Sequence, residues 1–151
     1  MSDRIGVMRA GRLVQVGTPH EIYTAPRDKF VSEFMGEVNV LDVVADSDGM
    51  VFAEAFGARL TAPAHGPAFH KGHLVIRPES VRFLEHPAEA ENRFEGMLYN
   101  EYALGSRVQY QVRVGEHVFM VERLRQQAFA GRLDEHVLIG WNAADSILVA
   151  D

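Results

Sequence analysis

Arg107-Val108-Gln109-Tyr110-Gln111-Val112-Arg113-Val114 alternates polar and apolar residues without a break. A side-chain period of two marks a strand with one face in a core and the other in water. The same style continues outward in both directions. Gly115-Glu116 predicts a tight turn into a strand at 118–124, and Leu104-Gly105-Ser106 predicts a turn back to a strand at 94–99. Residues 38–44, 50–56 and 58–62 read as short strands, with Asp48-Gly49 as the hairpin turn between the first two. Residues 73–76, 81–84, 137–141 and 146–150 complete the set, while 63–72 and 86–92 read as connectors. Residues 125–133 fit either a short helix or a loop. Many short strands at close spacing predict a small barrel or sandwich, arranged as two similar lobes, about 38–85 and 92–151.

The first 36 residues have a different character. Two β-rich runs flank Arg9-Ala10-Gly11, where glycine supplies the positive φ of a tight turn. The hairpin runs into Thr18-Pro19-His20-Glu21, a capping box in which Thr18 accepts the N3 amide and Glu21 reaches back to the Thr18 amide. Pro19 suits the first helical position, and Ala25-Pro26 ends that helix. A second short helix is expected at 28–36, with Phe30, Val31, Phe34 and Met35 on one face and Gly36 as its stop.

Composition removes several function classes. The 151 residues include no cysteine, which excludes disulfides, thiolate metal sites and a cysteine nucleophile. A net charge of −6 opposes an electrostatic grip on nucleic acid or on anionic lipid. No apolar run approaches the ~20 residues of a membrane-spanning helix, and the polar N-terminus has no signal-peptide core. A cytoplasmic location is expected.

Taken in order, these elements resemble the C-terminal part of an ABC-importer ATP-binding subunit. Ser2-Asp3-Arg4-Ile5, the Gly11-Arg12 hairpin, Gly17-Thr18-Pro19-His20-Glu21-Ile22-Tyr23 and Phe30-Val31-Ser32-Glu33-Phe34-Met35-Gly36 resemble the end of the nucleotide-binding domain. Gly36-Glu37-Val38-Asn39, Ile76-Arg77-Pro78-Glu79, Leu104-Gly105 and Trp141 resemble the accessory TOBE domain, an OB-like module. The resemblance implies a mainly β chain: a remnant of the nucleotide-binding domain at 1–36, with its hairpin and two short helices, and an OB-like β-barrel at 37–151. ATP and magnesium would belong to the parent subunit, because the sequence contains no G-x-x-x-x-G-K-[S/T] loop to cradle phosphates. The chain itself is expected to bind no cofactor and to catalyse nothing.

Three functions can be set against these residues. The resemblance implies a regulatory and dimerisation module, paired with a second copy and serving permease subunits at the inner membrane. A small-molecule or oxyanion sensor is the alternative, and an OB-type nucleic-acid binder opposes the acidic balance. Gly36, Asn39, Arg77, Glu79 and Gly105 are the positions assigned to architecture, an interface or a ligand. Arg77-Pro78-Glu79 has two readings: loop-tying charges at a strand end, or an arginine presented to an anion or a partner carboxylate. His65, His70 and His73 are close in sequence but lack zinc-site spacing, so a solvated loop is expected rather than a metal site. Tyr99, Tyr102, Tyr110 and Phe119 read as core and rim residues of a barrel rather than as base-stacking platforms.

Overall fold

The computed structural model describes residues 4–18, 21, 38–47, 49–129 and 133–150. At the N-terminal end, β1 (Ile5–Arg9) and β2 (Arg12–Gly17) form the expected hairpin. Ala10 and Gly11 both take positive φ, 50° and 78°, a type I′ turn whose twist suits the flanking strands. The capping box is present: the Thr18 N–H donates to Glu21 Oε1 at 3.2 Å, and the Glu21 N–H donates to Thr18 Oγ1 at 3.1 Å. The rest of the first expected helix and the whole of the second lie outside the described residues.

The remaining strands form two five-stranded antiparallel sheets. The first contains β3 (Asn39–Ala45), β4 (Met50–Ala53), β5 (Ala58–Thr61), β6 (Lys71–Ile76) and β12 (Ser146–Ala150), in the order β12-β6-β3-β4-β5. The second contains β7 (Arg82–Phe83), β8 (Asn92–Leu104), β9 (Arg107–Val114), β10 (His117–Leu124) and β11 (His136–Trp141), in the order β7-β11-β8-β9-β10. The two orders match strand for strand. After β6 the chain passes through a 3-10 turn at Pro78–Ser80, and after β11 through another at Ala143–Asp145. Each turn sends its half of the chain into the other sheet: β7 joins β11, and β12 joins β6. The two halves therefore complete one another rather than folding side by side.

A pair of asparagines ties the sheets together at equivalent places. Asn39 opens β3 and reaches the edge strand β10, donating Nδ2–H to the Met120 carbonyl at 2.8 Å and accepting the Met120 N–H on Oδ1 at 2.7 Å. Asn92 opens β8 and does the same to the edge strand β5, with both bonds to Thr61 at 2.8 Å. Both side chains are buried, at 5% and 3% exposure. Each amide presents the donor and acceptor of a neighbouring strand, so it satisfies edge groups that would otherwise lie bare in a dry environment.

The core lies between the sheets, with Leu41, Val43, Val51 and Leu74 from the first and Leu98, Val112, Val121 and Ile139 from the second. Tyr110, Phe119 and Trp141 are its largest fully buried side chains. The expected strand at 50–56 stops at Ala53, and Glu54–Phe56 form a 3-10 turn that closes at Gly57 with φ 60°. The turn brings the Phe56 ring to 4.8 Å from Phe94 and 5.8 Å from Phe119, an apolar gain that a continued strand would forgo. The expected strand at 94–99 is longer, running from Asn92 to Leu104, because a bulge at Tyr99 lets it continue in a shifted register.

The second sheet curls until its edge strand β7 faces β9. The Phe83 ring stacks on Phe129 at 4.1 Å and meets Tyr110 edge-on at 5.1 Å. The Tyr110 hydroxyl accepts the Phe129 N–H at 2.7 Å and donates to the Phe129 carbonyl at 3.2 Å. Burial pushes the Tyr110 phenol above its ordinary value of 10.0, against the opposing pull of its bond to Phe129; Glu101 adds to the rise and Arg123 reduces it. A native group that holds its proton more tightly contributes stability below the unfolded value and loses it as pH climbs through the raised native one. Tyr110→Phe should therefore cost about 1–3 kcal/mol at pH 8 through the unpaired Phe129 groups. It should also make the loss of stability above about pH 10 shallower. Urea midpoints read by the single tryptophan across pH 8–11 check this, and an equally steep alkaline loss in the variant would contradict it.

Candidate functional site along β10

Strand β10 places Phe119 opposite Val112, Val121 opposite Tyr110, and Arg123 opposite Val108. Residues two apart share a face, so Arg123 enters on the apolar phase of the strand, at the margin of the core. A pocket of about 220 Å³ opens there, lined by Glu79, Arg107, Glu122, Arg123, Leu124 and Gln127. Arg107 Nη1 lies 3.5 Å from Glu122 Oε2, which leaves that pair mutually occupied. Burial lowers the proton affinity of the Arg123 guanidinium, and the positive charge of Arg82 lowers it further, with Tyr110 opposing. Arg82 itself donates from Nη2 to the Glu89 carbonyl at 3.1 Å. The pocket thus sets two guanidiniums, Arg107 and Arg123, beside two carboxylates, Glu79 and Glu122, with Arg123 half-buried.

Four of the five positions singled out from the sequence surround this strand. Glu79 lines the pocket from the 3-10 turn Pro78–Ser80, which packs against β10. Arg77 precedes that turn and is 5% exposed, so it is drawn into the protein rather than presented at the strand end. This placement favours its structural reading. Asn39 holds β10 at Met120 through the two bonds described above. Gly105 has φ 69° at the first central position of the turn between β8 and β9, a type II′ geometry that a side chain would strain. The next carbonyl, of Ser106, accepts the Arg125 N–H at 2.8 Å and fixes the chain just beyond Arg123. Gly36 lies outside the described residues.

Arg123 was not among the expected site residues. Its signal was nonetheless present in the sequence: Phe119, Val121 and Arg123 share one phase, and a charge on the apolar phase of a strand is a burial that needs a reason.

The other candidates resolve into structural roles. His65 directs Nδ1 to the Gly66 carbonyl at 2.9 Å and Nε2 to the Ser47 carbonyl at 3.0 Å, whereas His73 directs Nδ1 to Asp42 Oδ1 at 2.8 Å. The two rings serve separate partners, and His70 is exposed. Tyr110 and Phe119 are core residues. Tyr99 and Tyr102 are exposed, and the Tyr99 ring lies 4.5 Å from the Arg113 guanidinium carbon, so its face is taken. Among the described residues, no helix is long and apolar enough to cross a membrane.

Comparison with known proteins places these features in a wider group. Residues 74–149 match the model of the TOBE domain. The whole chain is 30% identical to the spermidine/putrescine import ATP-binding protein PotA of Trichodesmium erythraeum, of which it covers 43%. It is 32% identical over 99% of its length to PotA of Thermotoga maritima, covering 44% of that protein. Over 89% of its length it is 30% identical to the Fe(3+) ions import ATP-binding protein FbpC of Brucella suis, covering 38%. The chain thus spans less than half the length of these curated relatives, and it matches their C-terminal part. Among solved structures, the cytoplasmic molybdate-binding protein ModG superposes with a TM-score of 0.61 over 75% of this chain and 96% of its own, at 12% identity. That likeness establishes the OB-type fold.

Proposed function

The chain belongs to the TOBE-domain family, and we propose that it serves as the non-catalytic regulatory and dimerisation region of the ATP-binding subunit of an ABC solute importer. The observation that carries the reading is the TOBE match over 74–149, joined to similarity over 89–100% of the chain with import ATP-binding proteins of two solute classes. ATP and magnesium would be held by the remainder of such a subunit, and permease subunits at the inner membrane would be its partners on the cytoplasmic side. Exchange of β7 and β12 between the halves supports a module that moves as one body. Such a body transmits a bias between open and closed states to the extent that a ligand or partner prefers one of them.

Pairing with a second copy would use the edge strand β12, where Ser146-Ile147-Leu148-Val149-Ala150 ends its sheet without a charge, a proline or a bulge. Uncharged edges of this length accept another strand. Sedimentation equilibrium of the chain should show a reversible dimer whose fraction rises with concentration. A single monomeric species across the concentration range would remove dimerisation as a property of this region.

A second reading is supported by a specific observation. ModG, with the same fold, binds molybdate, and the pocket beside β10 gathers a half-buried arginine with further charge around it. In this reading the region is a sensor of a small anion, and occupancy of the pocket is the regulatory signal.

A further inference from the structure

We propose that His65 is a pH-sensitive clasp: protonation of its ring fastens the loop between β5 and β6 to the turn between β3 and β4, and loss of that proton releases it. Both ring nitrogens face oxygen. Nδ1 lies 2.9 Å from the Gly66 carbonyl oxygen, and Nε2 lies 3.0 Å from that of Ser47 and 3.2 Å from that of Met50. A neutral imidazole carries one N–H, so its other nitrogen would turn a lone pair toward a carbonyl oxygen. The imidazolium carries two, and both sides of the ring then donate. Hydrogen bonds from a charged donor are also the stronger kind. The surroundings of His65 are thus complementary to its protonated form.

The clasp joins segments that matter to the first sheet. On the turn, the Met50 N–H donates to the Ser47 carbonyl at 2.8 Å, and the Asp46 N–H donates to the Met50 carbonyl at 3.2 Å. The far end of the loop is tied nearby, where the Ala45 N–H donates to the His70 carbonyl at 2.7 Å. A cavity of about 450 Å³ lies beside these ties, lined by Ala45, Asp46, His65, Gly66, Pro67 and Phe69. The His65 and Phe69 rings are 5.0 Å apart. Phe69 in turn rests beside Gly72 of β6, where a methyl group would come within 3.0 Å of Phe69 Cε2 and would overlap the Val149 carbonyl oxygen of β12. Release of His65 therefore frees the loop from the turn and loosens the cover over the end of the β6–β12 pair.

The charges nearby leave the carbonyl oxygens as the deciding feature. Asp46 lines the same cavity, but its carboxylate is paired with Arg59 of β5. Lys71 stands opposite Val44 in the β3–β6 ladder, and His70 is exposed. Asp48, in the turn itself, lies outside the described residues. A native ring that holds its proton more tightly than the unfolded chain contributes stability in full below the ordinary histidine value of about 6.5. That stability is lost as pH climbs through the raised native value. A native midpoint of about 7 would tighten loop closure about threefold at low pH.

The test is a titration of the 151-residue chain from about pH 5 to about pH 8.5, following the histidine ring signals and amide exchange by NMR. The His65 signal is assigned by its absence from His65→Gln. It should titrate at about 7 or above. The protection factor of the Ala45 amide should fall about threefold across the range, while that of the Arg125 amide, bonded to the Ser106 carbonyl far from this loop, should stay constant. His65→Gln should abolish the pH dependence at Ala45. Asp46→Asn, Asp48→Asn and Arg59→Gln combined remove the surrounding charges and should leave the His65 midpoint raised. If a variant does not fold, the midpoint and the Ala45 protection of the unaltered chain still decide. A midpoint at or below the ordinary value overturns the proposal, as does one that returns to it in the combined variant. Constant protection at Ala45, or a pH dependence there that survives His65→Gln, overturns it equally.

Discussion

Asn39→Asp should lower the unfolding free energy by about 3 kcal/mol or more at pH 7, and part of that loss should return on acidification. The buried amide of Asn39 donates to the Met120 carbonyl and accepts the Met120 N–H, at 2.8 and 2.7 Å. A carboxylate keeps the second bond but aims a charged oxygen at the carbonyl, in a position only 5% exposed. A neutral carboxyl restores a donor there. The native pKa of the introduced acid is therefore raised, so its destabilisation is largest above that value and shrinks as pH falls through it. Asn39→Ala, which leaves both Met120 groups unpaired without adding a charge, should lose about 2–3 kcal/mol at either pH. Trp141 is the single tryptophan and is fully buried, so its fluorescence reports the urea transition. A carboxylate variant as stable as the parent at pH 7 would show that the two sheets are not joined through this amide.

Gly140→Ala should be the other severe substitution, costing about 3 kcal/mol or more. Gly140 lies in β11 against β8 and pairs with Arg93. A methyl group on it would overlap the Asn92 carbonyl oxygen and come within 2.7 Å of Leu84 Cδ1 and 3.0 Å of Ala90 Cβ. The obstruction is partly backbone, and it belongs to the residue whose side chain closes β5. The strands must move apart, and the Asn92 bonds to Thr61 move with them. A drop in the urea midpoint together with faster hydrogen exchange at the Thr61 amide is expected. Near-parental stability with Thr61 still protected would mean that β8 and β11 are less closely packed than described.

Much of this architecture was legible because local sequence carries it. Polar–apolar alternation located β9 to within a residue, and Ala10-Gly11, Gly105-Ser106 and Gly115-Glu116 marked hairpins whose glycines have positive φ. The length of β8 was hidden because the bulge at Tyr99 breaks the period of two, so the residues beyond it fall out of phase. The exchange of β7 and β12 was hidden for a different reason. A strand's own residues say that it is half-buried, but not which sheet buries it. The same limit applies at the site. Arg77 stands in a strand-end motif, yet only the three-dimensional course of Pro78–Ser80 shows that it turns inward and leaves Glu79 at the pocket. Asn39 was noted in a sequence motif, whereas its counterpart Asn92 emerges only when the two sheet orders are laid side by side.

The exchanged ends also bear on function. Because β12 completes the first sheet and β7 the second, neither half can open without unpairing the other, and the two asparagines add cross-sheet bonds to that constraint. A ligand held at β10 would thus act on the whole module. The most direct test of the regulatory claim uses two chimeras of the Thermotoga maritima PotA protein. In one, its matching C-terminal part is replaced by all 151 residues of this chain, and in the other by residues 1–36 alone. Both should hydrolyse ATP, and the two should differ in steady-state rate and in self-association. Equal rates with equal self-association would contradict a regulatory role, and a folded but inactive shorter chimera would contradict the non-catalytic one.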